Sequence, residues 1–308
     1  MLRALFISFF IFLNLSLAQA AADLSTIPVE FGEVIYRCNQ RSSNQLFIIG
    51  MAHRDSLTGL SVPNVSRVQA EVYKLGQWLI QNERCELLFP EGFFATPATK
   101  TGKEQRRAAD EKLSCPESID LKTLEEKLSD TRSFVNAELL LKGNYSLRLR
   151  QVEDVKFHRA VGEFIRKLVN CGNDNSEYLR VKSQLDYLQE RRTAAMLQKI
   201  PEIIHAEFQE GNIKAKKAIF TIGSSHLPRI IRYLEENRLR IYSPLLGMGK
   251  NEDYIADLNL GKENFGISIL LPRTLAGDQK TMKINGLDEI ITQHRRHSSA
   301  VLSPDPRN

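Results

Sequence analysis

The chain lacks the patterns that mark several common chemistries. No two of its four cysteines stand in a C-x-x-C spacing, so a zinc finger or ribbon is excluded. It has no G-x-G-x-x-G, no phosphate-binding G-x-x-x-x-G-K-[ST] loop and no H-E-x-x-H helix, which leaves nucleotide binding and thermolysin-like zinc chemistry without a motif. Ser225 lies at a strand-to-helix turn, but a nucleophile elbow needs glycine at position 227, where Leu227 stands. After Leu17 no apolar run is long enough to span a bilayer. Charge of one sign is not concentrated: 42 lysines and arginines are interleaved with 37 acids, without the basic block that binds nucleic acid. With 308 residues, 42% apolar and 26% charged, the remainder reads as an ordinary globular chain with a sizeable core.

The N-terminus is distinctive. Arg3 supplies a positive charge, Ala4 to Leu17 is almost unbroken hydrocarbon, and Ala18-Gln19-Ala20 follows. A basic start, a short apolar run and a small-x-small triplet are the parts of a secretory signal peptide. The sequence therefore predicts a signal peptide over residues 1–20 cleaved after Ala20. It also predicts a secreted or periplasmic protein without a stable membrane span, one α/β domain over 24–292 and a solvated tail over 293–308. In an oxidising compartment Cys38, Cys85, Cys115 and Cys171 allow two disulfides in three connectivities; four free thiols is the other reading.

Short apolar runs closed by glycine or proline read as buried strands: Gln45 to Ile49, Cys85 to Phe89, Ala218 to Ile222 and Gly266 to Leu271. Between the first two, Val68, Val72, Leu75, Leu79 and Ile80 recur at helical spacing over Val65 to Asn82. Strand, helix and strand at this spacing predict a parallel βαβ unit with its two strands side by side. A charged, mostly helical insertion follows over about 98–200, broken at Cys115-Pro116. Within it, Tyr145 to Val152 alternates into an expected strand ending at Glu153-Asp154, and helices are expected over Lys156 to Val169 and Glu177 to Lys199. Pro201 is expected to start a separate, shorter helix. Leu227 to Asn237 reads as a helix, and Arg240-Ile241-Tyr242 as a strand.

Two strands end in one construction. Phe47-Ile48-Ile49-Gly50-Met51-Ala52-His53 and Phe220-Thr221-Ile222-Gly223-Ser224-Ser225-His226 are both apolar strand, then G-x-x-H, then helix. Ligands of α/β sheets sit outside the carboxyl ends of the strands, so His53 and His226 are placed to face one crevice, each after a glycine that permits a sharp turn. Glu91 ends the strand expected beside that of His53, and Glu153 ends a further one. At about 100° per residue, Arg192 falls inside the apolar stripe of Leu185, Leu188, Ala195 and Met196, where a guanidinium needs a carboxylate or an anionic ligand. His158 and His205, on amphipathic helices, read as structural.

Assembled in order, these motifs resemble the superfamily of Tiki, TraB/PrgY and GumN, ChaN and erythromycin esterase proteins. The resemblance runs over about Leu46 to Pro244. Its motifs are Ile48-Ile49-Gly50-Met51-Ala52-His53, Leu87-Leu88-Phe89-Pro90-Glu91-Gly92, Val152-Glu153-Asp154, Arg192-Thr193-Ala194-Ala195-Met196 and Thr221-Ile222-Gly223-Ser224-Ser225-His226. Thr193 stands where the family carries an amide or acid, and Gln151 where some members carry glycine. The resemblance implies an α/β fold from two halves with a helical insertion between them. It also implies a site of two histidines and a glutamate, used by Tiki-like members as a divalent-metal peptidase centre and by erythromycin esterase-like members to cleave a lactone ester. ChaN-like members bind haem instead.

The chemistry then expected is an exported hydrolase acting on a peptide or a small-molecule ester. His53, His226 and Glu91 would hold Mn, Co or Zn, with Glu91 and Glu153 as the catalytic acids and Arg192 stabilising an oxyanion or gripping a substrate carboxylate. General base catalysis by Glu91 without a metal is the same geometry. A haem- or iron-binding protein without turnover, and a non-catalytic extracytoplasmic partner-binding protein, are the alternatives.

Overall fold

The computed structural model describes residues 24–52, 64–94, 113–129, 135–172, 175–244 and 253–292. The signal peptide expected over 1–20, the tail over 293–308 and His53 lie outside the described residues.

The strands are β1 (Gly32–Cys38), β2 (Gln45–Met51), β3 (Leu87–Pro90), β4 (Arg148–Leu149), β5 (Lys217–Gly223), β6 (Arg238–Ile241), β7 (Tyr254–Asp257) and β8 (Gly266–Pro272). Six of them form one sheet in the order β1-β8-β2-β5-β3-β4, and β6 pairs with β7 apart from it. Only β1 runs antiparallel in the six-stranded sheet, at its edge. Every residue of β2, β5 and β8 is buried, as expected of central parallel strands covered on both faces. The α/β class with a mixed, mostly parallel sheet is the one expected.

Two groups of helices flank the sheet. In the first, α1 (Val65–Glu83) packs against α2 (Leu121–Ser129) and α3 (Ala137–Asn144). In the second, α5 (Asn175–Gln209) packs against α4 (Val155–Asn170). The helix α6 (Leu227–Glu236) follows the second G-x-x-H turn, and α7 (Asn259–Lys262), α8 (Arg273–Gly277) and α9 (Gln279–Ile284) complete the described chain. None of the helices among the described residues is long and apolar enough to cross a membrane. All four cysteines are free thiols.

The structure corrects several expectations. β3 does not pair with β2, because β5 lies between them and bonds to both. A long-range strand has displaced the local βαβ pairing, and it puts Glu91 beside the strand that leads to His226. Pro201 does not start a new helix; α5 runs through it for 35 residues. The proline forfeits one backbone hydrogen bond, but it is buried in the same stripe as Leu197, Ile200 and Ile204, whose packing carries the helix on. The strand expected over Tyr145 to Val152 contracts to the two residues of β4.

The glycines of the two G-x-x-H turns are not there for a left-handed turn. Gly223 has φ of −54°, and Gly50 is not among the positive-φ residues. At Gly50 the constraint is space: a Cβ there would lie 2.6 Å from Leu227 Cδ1 and 2.8 Å from Leu271 Cδ2. Leu227 and Leu271 are fully buried and leave no room to retreat. Gly50→Ala is expected to cost about 1–3 kcal/mol by overpacking, read as a lower urea midpoint with an unchanged slope; an unshifted midpoint would contradict this packing.

Candidate active site

The carboxyl ends of β3 and β5 carry the cluster. The ladder between them continues one residue past β3, where Glu91 N–H donates to the Thr221 carbonyl at 2.9 Å, and this fixes Glu91 at the crest of the sheet. Its Oε2 accepts the Gly223 N–H at 2.6 Å, and its Oε1 lies 3.0 Å from Arg192 Nη1. Glu153 reaches the same guanidinium from the insertion. Its two oxygens accept from Arg192 Nε at 2.8 Å and Nη2 at 2.5 Å, and Oε2 also accepts the Gly92 N–H at 3.2 Å. Asp154 caps α4 through the Lys156 N–H, which holds the Asp154 carboxyl below its usual range and sets where the helix departs from the site.

Arg192 is 8% exposed and Glu153 2%. Burial opposes the charged guanidinium, but hydrogen bonding and charge from Glu153 and Glu91 outweigh it and hold Arg192 above its ordinary value. Every nitrogen of Arg192 holds a carboxylate, so the arginine expected at an oxyanion or a substrate carboxylate is instead the counterion that allows two acids to be buried together.

His226 sits in a short 3₁₀ turn, Ser224–His226, and is 6% exposed. Its Nδ1 is 2.7 Å from Thr193 Oγ1, and the Thr193 hydroxyl donates to the Gln189 carbonyl at 2.9 Å. A hydroxyl has one proton to give, so at Nδ1 it accepts: the ring carries a hydrogen on Nδ1, and in its neutral form Nε2 is the acceptor nitrogen. That Nε2 stands 3.5 Å from Glu91 Oε1, wider than an ordinary N–H···O bond. In that form two acceptors face each other beside a triad whose formal charges, one guanidinium and two carboxylates, sum to one negative charge.

Sequence reasoning anticipated Glu91, Glu153, Arg192 and His226, and the structure brings these four together. It missed Thr193 as the group that orients His226, although its place directly after Arg192, where the resembled family carries an amide or acid, was a usable signal. It also missed Glu138, buried in the first turn of α3, whose Oε1 accepts from Thr221 Oγ1 at 3.1 Å. An acid in a first helical turn reads as a dipole partner, and nothing local marks it as buried. Gln69 links the Ala137 N–H to the carbonyl of Ala52, the residue before His53. His158 and His205 contact other groups: His158 meets Phe94 edge to face at 4.8 Å, and His205 Nδ1 faces Lys216 Nζ at 3.0 Å. A separate cavity of about 500 Å³ lies at the amino ends of the strands, lined by Glu83, Cys85, Tyr145 and Lys217.

Among the described residues no group of three metal-binding side chains is assembled. The two donors present nevertheless suit an ion. Two ligands on a tetrahedral metal at about 2.1 Å each stand roughly 3.4 Å apart, and His226 Nε2 and Glu91 Oε1 are 3.5 Å apart.

Arg192→Met leaves Glu91 and Glu153 buried without a counterion, and is expected to cost about 3–5 kcal/mol in urea unfolding at neutral pH. A loss under about 1 kcal/mol would show that the triad does not hold the crest together. Compared with protein families, with curated proteins and with solved structures, the chain matches none.

Proposed function

We propose that this protein is an exported hydrolase that activates a water molecule between His226 and Glu91 to cleave an ester or a peptide bond. The observation that carries the reading is the pair of facing acceptors, Nε2 and Oε1, 3.5 Å apart above a buried triad with a net negative charge. Such a gap is filled by something positive or proton-donating: a water, a proton on Nε2 or a divalent cation. The resemblance to the Tiki, ChaN and erythromycin esterase superfamily supports the same reading through the same residues.

Each side chain then has a task. Thr193 holds the His226 tautomer that leaves Nε2 free to accept the proton of an attacking water. Glu91, fixed by the Gly223 N–H and Arg192, lies close enough to stabilise the imidazolium that results. Glu153 anchors Arg192 and through it the position of Glu91. The proton on Nε2 is next given to the leaving alkoxide or amine. His226, Glu91 and His53 would be the ligands of a divalent Mn, Co or Zn ion, which when bound supplies Lewis acidity and lowers the pKa of bound water. A haem reading fits these residues less well, because axial ligation asks for an open imidazole on an apolar patch and His226 is buried among carboxylates.

His226→Ala and Glu91→Gln are each expected to lower kcat/KM by about 10²–10⁴-fold on whichever members of a 4-nitrophenyl ester and peptide panel the wild type cleaves, with the melting temperature followed in parallel. Thr193→Val should lower kcat more than it raises KM, since it loosens the tautomer and leaves the binding surface intact. Metal analysis after gel filtration reports the ion: stoichiometric metal retained by His226→Ala removes His226 from the ligand set, and full turnover by that variant overturns the hydrolase reading at this site.

A further inference from the structure

Arg192 is consumed by two acids; its neighbour is not. Arg191 is half-buried on α5, and its guanidinium carbon lies 4.4 Å from the ring centre of Tyr254, 5.8 Å from Phe157 and 5.9 Å from Tyr187. Its Nη1 donates to the Tyr187 hydroxyl at 3.0 Å. Among the described residues no carboxylate pairs with it. Other arginines that reach α5 do find acids on it: Arg229 and Arg232 share Glu190, and Arg148 and Arg150 share Glu207. Aromatic rings attract a guanidinium through its faces and hold its plane in place. They do not use up the N–H donors that point outward in that plane, and one neutral hydroxyl accepts only one of them.

The chain links the cage to the candidate centre. Phe157 stands in the first turn of α4, whose cap Asp154 directly follows Glu153. Phe94, three residues after Glu91, meets His158 in that same turn. The segments leaving both buried carboxylates therefore lead to the aromatic rim. Arg191 and Arg192 are consecutive in the helix, with side chains about 100° apart, which sets their charged ends on the order of 10 Å from each other.

We propose that Arg191 is the anion-recognition residue of this site, and that the substrate carries a carboxylate on the order of 10 Å from the bond to be cleaved. The cleavage part rests on the hydrolase reading above; the binding part does not. A caged guanidinium is pre-organised to take a carboxylate through two parallel N–H bonds, so little side-chain freedom remains to be lost on binding.

The test uses the full chain, with calorimetric titration of glutarate, its neutral diamide and inorganic phosphate against the wild type, Arg191→Met and Arg191→Lys. Glutarate is expected to bind the wild type, at least tenfold more weakly to Arg191→Met, and severalfold more weakly to Arg191→Lys, which keeps the charge and loses the fork; the diamide should bind none of them. In turnover, the preference for the 4-nitrophenyl half-ester of nonanedioic acid, whose carboxyl carbons stand about 10 Å apart when extended, over its methyl ester should fall at least tenfold in Arg191→Met. Equal glutarate binding by wild type and Arg191→Met, or an unchanged preference, overturns the proposal. Tighter binding of phosphate than of glutarate overturns the carboxylate assignment. Arg191-dependent glutarate binding without turnover of either ester upholds the anion site and sinks the hydrolase reading instead. A melting temperature preserved in Arg191→Lys keeps the comparison independent of folding.

Discussion

The guanidinium of Arg192, clamped between Glu91 and Glu153, is the interaction on which the rest of the candidate site depends. An isolated carboxylate at this depth would take up a proton or draw in water, and two would repel each other. The arginine between them supplies each with a partner, and because Glu91 and Glu153 arrive from different strands, the ion cluster also ties the helical insertion to the sheet. The geometry is asymmetric. Glu153 gives both oxygens to Arg192, whereas Glu91 gives one, keeps the other on the Gly223 backbone, and is the acid that faces His226. Glu153 is spent on holding the cluster, whereas Glu91 also turns an oxygen toward the imidazole.

The helix that carries Arg192 divides its labour among consecutive residues. Glu190 pairs with arginines of α6, Arg191 enters the aromatic cage, Arg192 enters the ion cluster and Thr193 meets His226. Four successive positions thus connect four surroundings, and the long helix serves as a ruler that keeps them in register. Its continuity through Pro201 matters here, because a break would end the buried stripe that seats the ruler on the sheet.

Much of this was legible in the chain. The central strands announce themselves because strands buried on both faces read as near-continuous apolar runs, and β2, β5 and β8 are interrupted by few polar residues, Gln45, Lys217, Thr221 and Ser268; α1 and α6 show apolar stripes on the faces they bury. Glu91, Arg192 and His226 stood out as polar groups at strand ends or in an apolar stripe. What stayed hidden was non-local. Nothing in the local spacing of Gln45 to Phe89 says that a strand beginning at Lys217 will come between β2 and β3. β1 carries Glu33 and Arg37 and is only half-buried at the sheet edge, so its pattern is blurred. Thr193 and Glu138 are ordinary helix residues until the partner element is known.

The strand order has a consequence for biogenesis. β2 is made early, yet both strands that flank it, β5 and β8, begin only at Lys217 and Gly266. Until those residues emerge, a mostly apolar segment has two open edges, the condition that invites association with other chains. The sheet therefore closes late, on one side of β2 with β5 and on the other with β8, through pairings of high sequence separation that fold slowly. Both edges of the central strand are thus satisfied only by segments far along the chain, so a fragment ending before Lys217 lacks the partners that bury it.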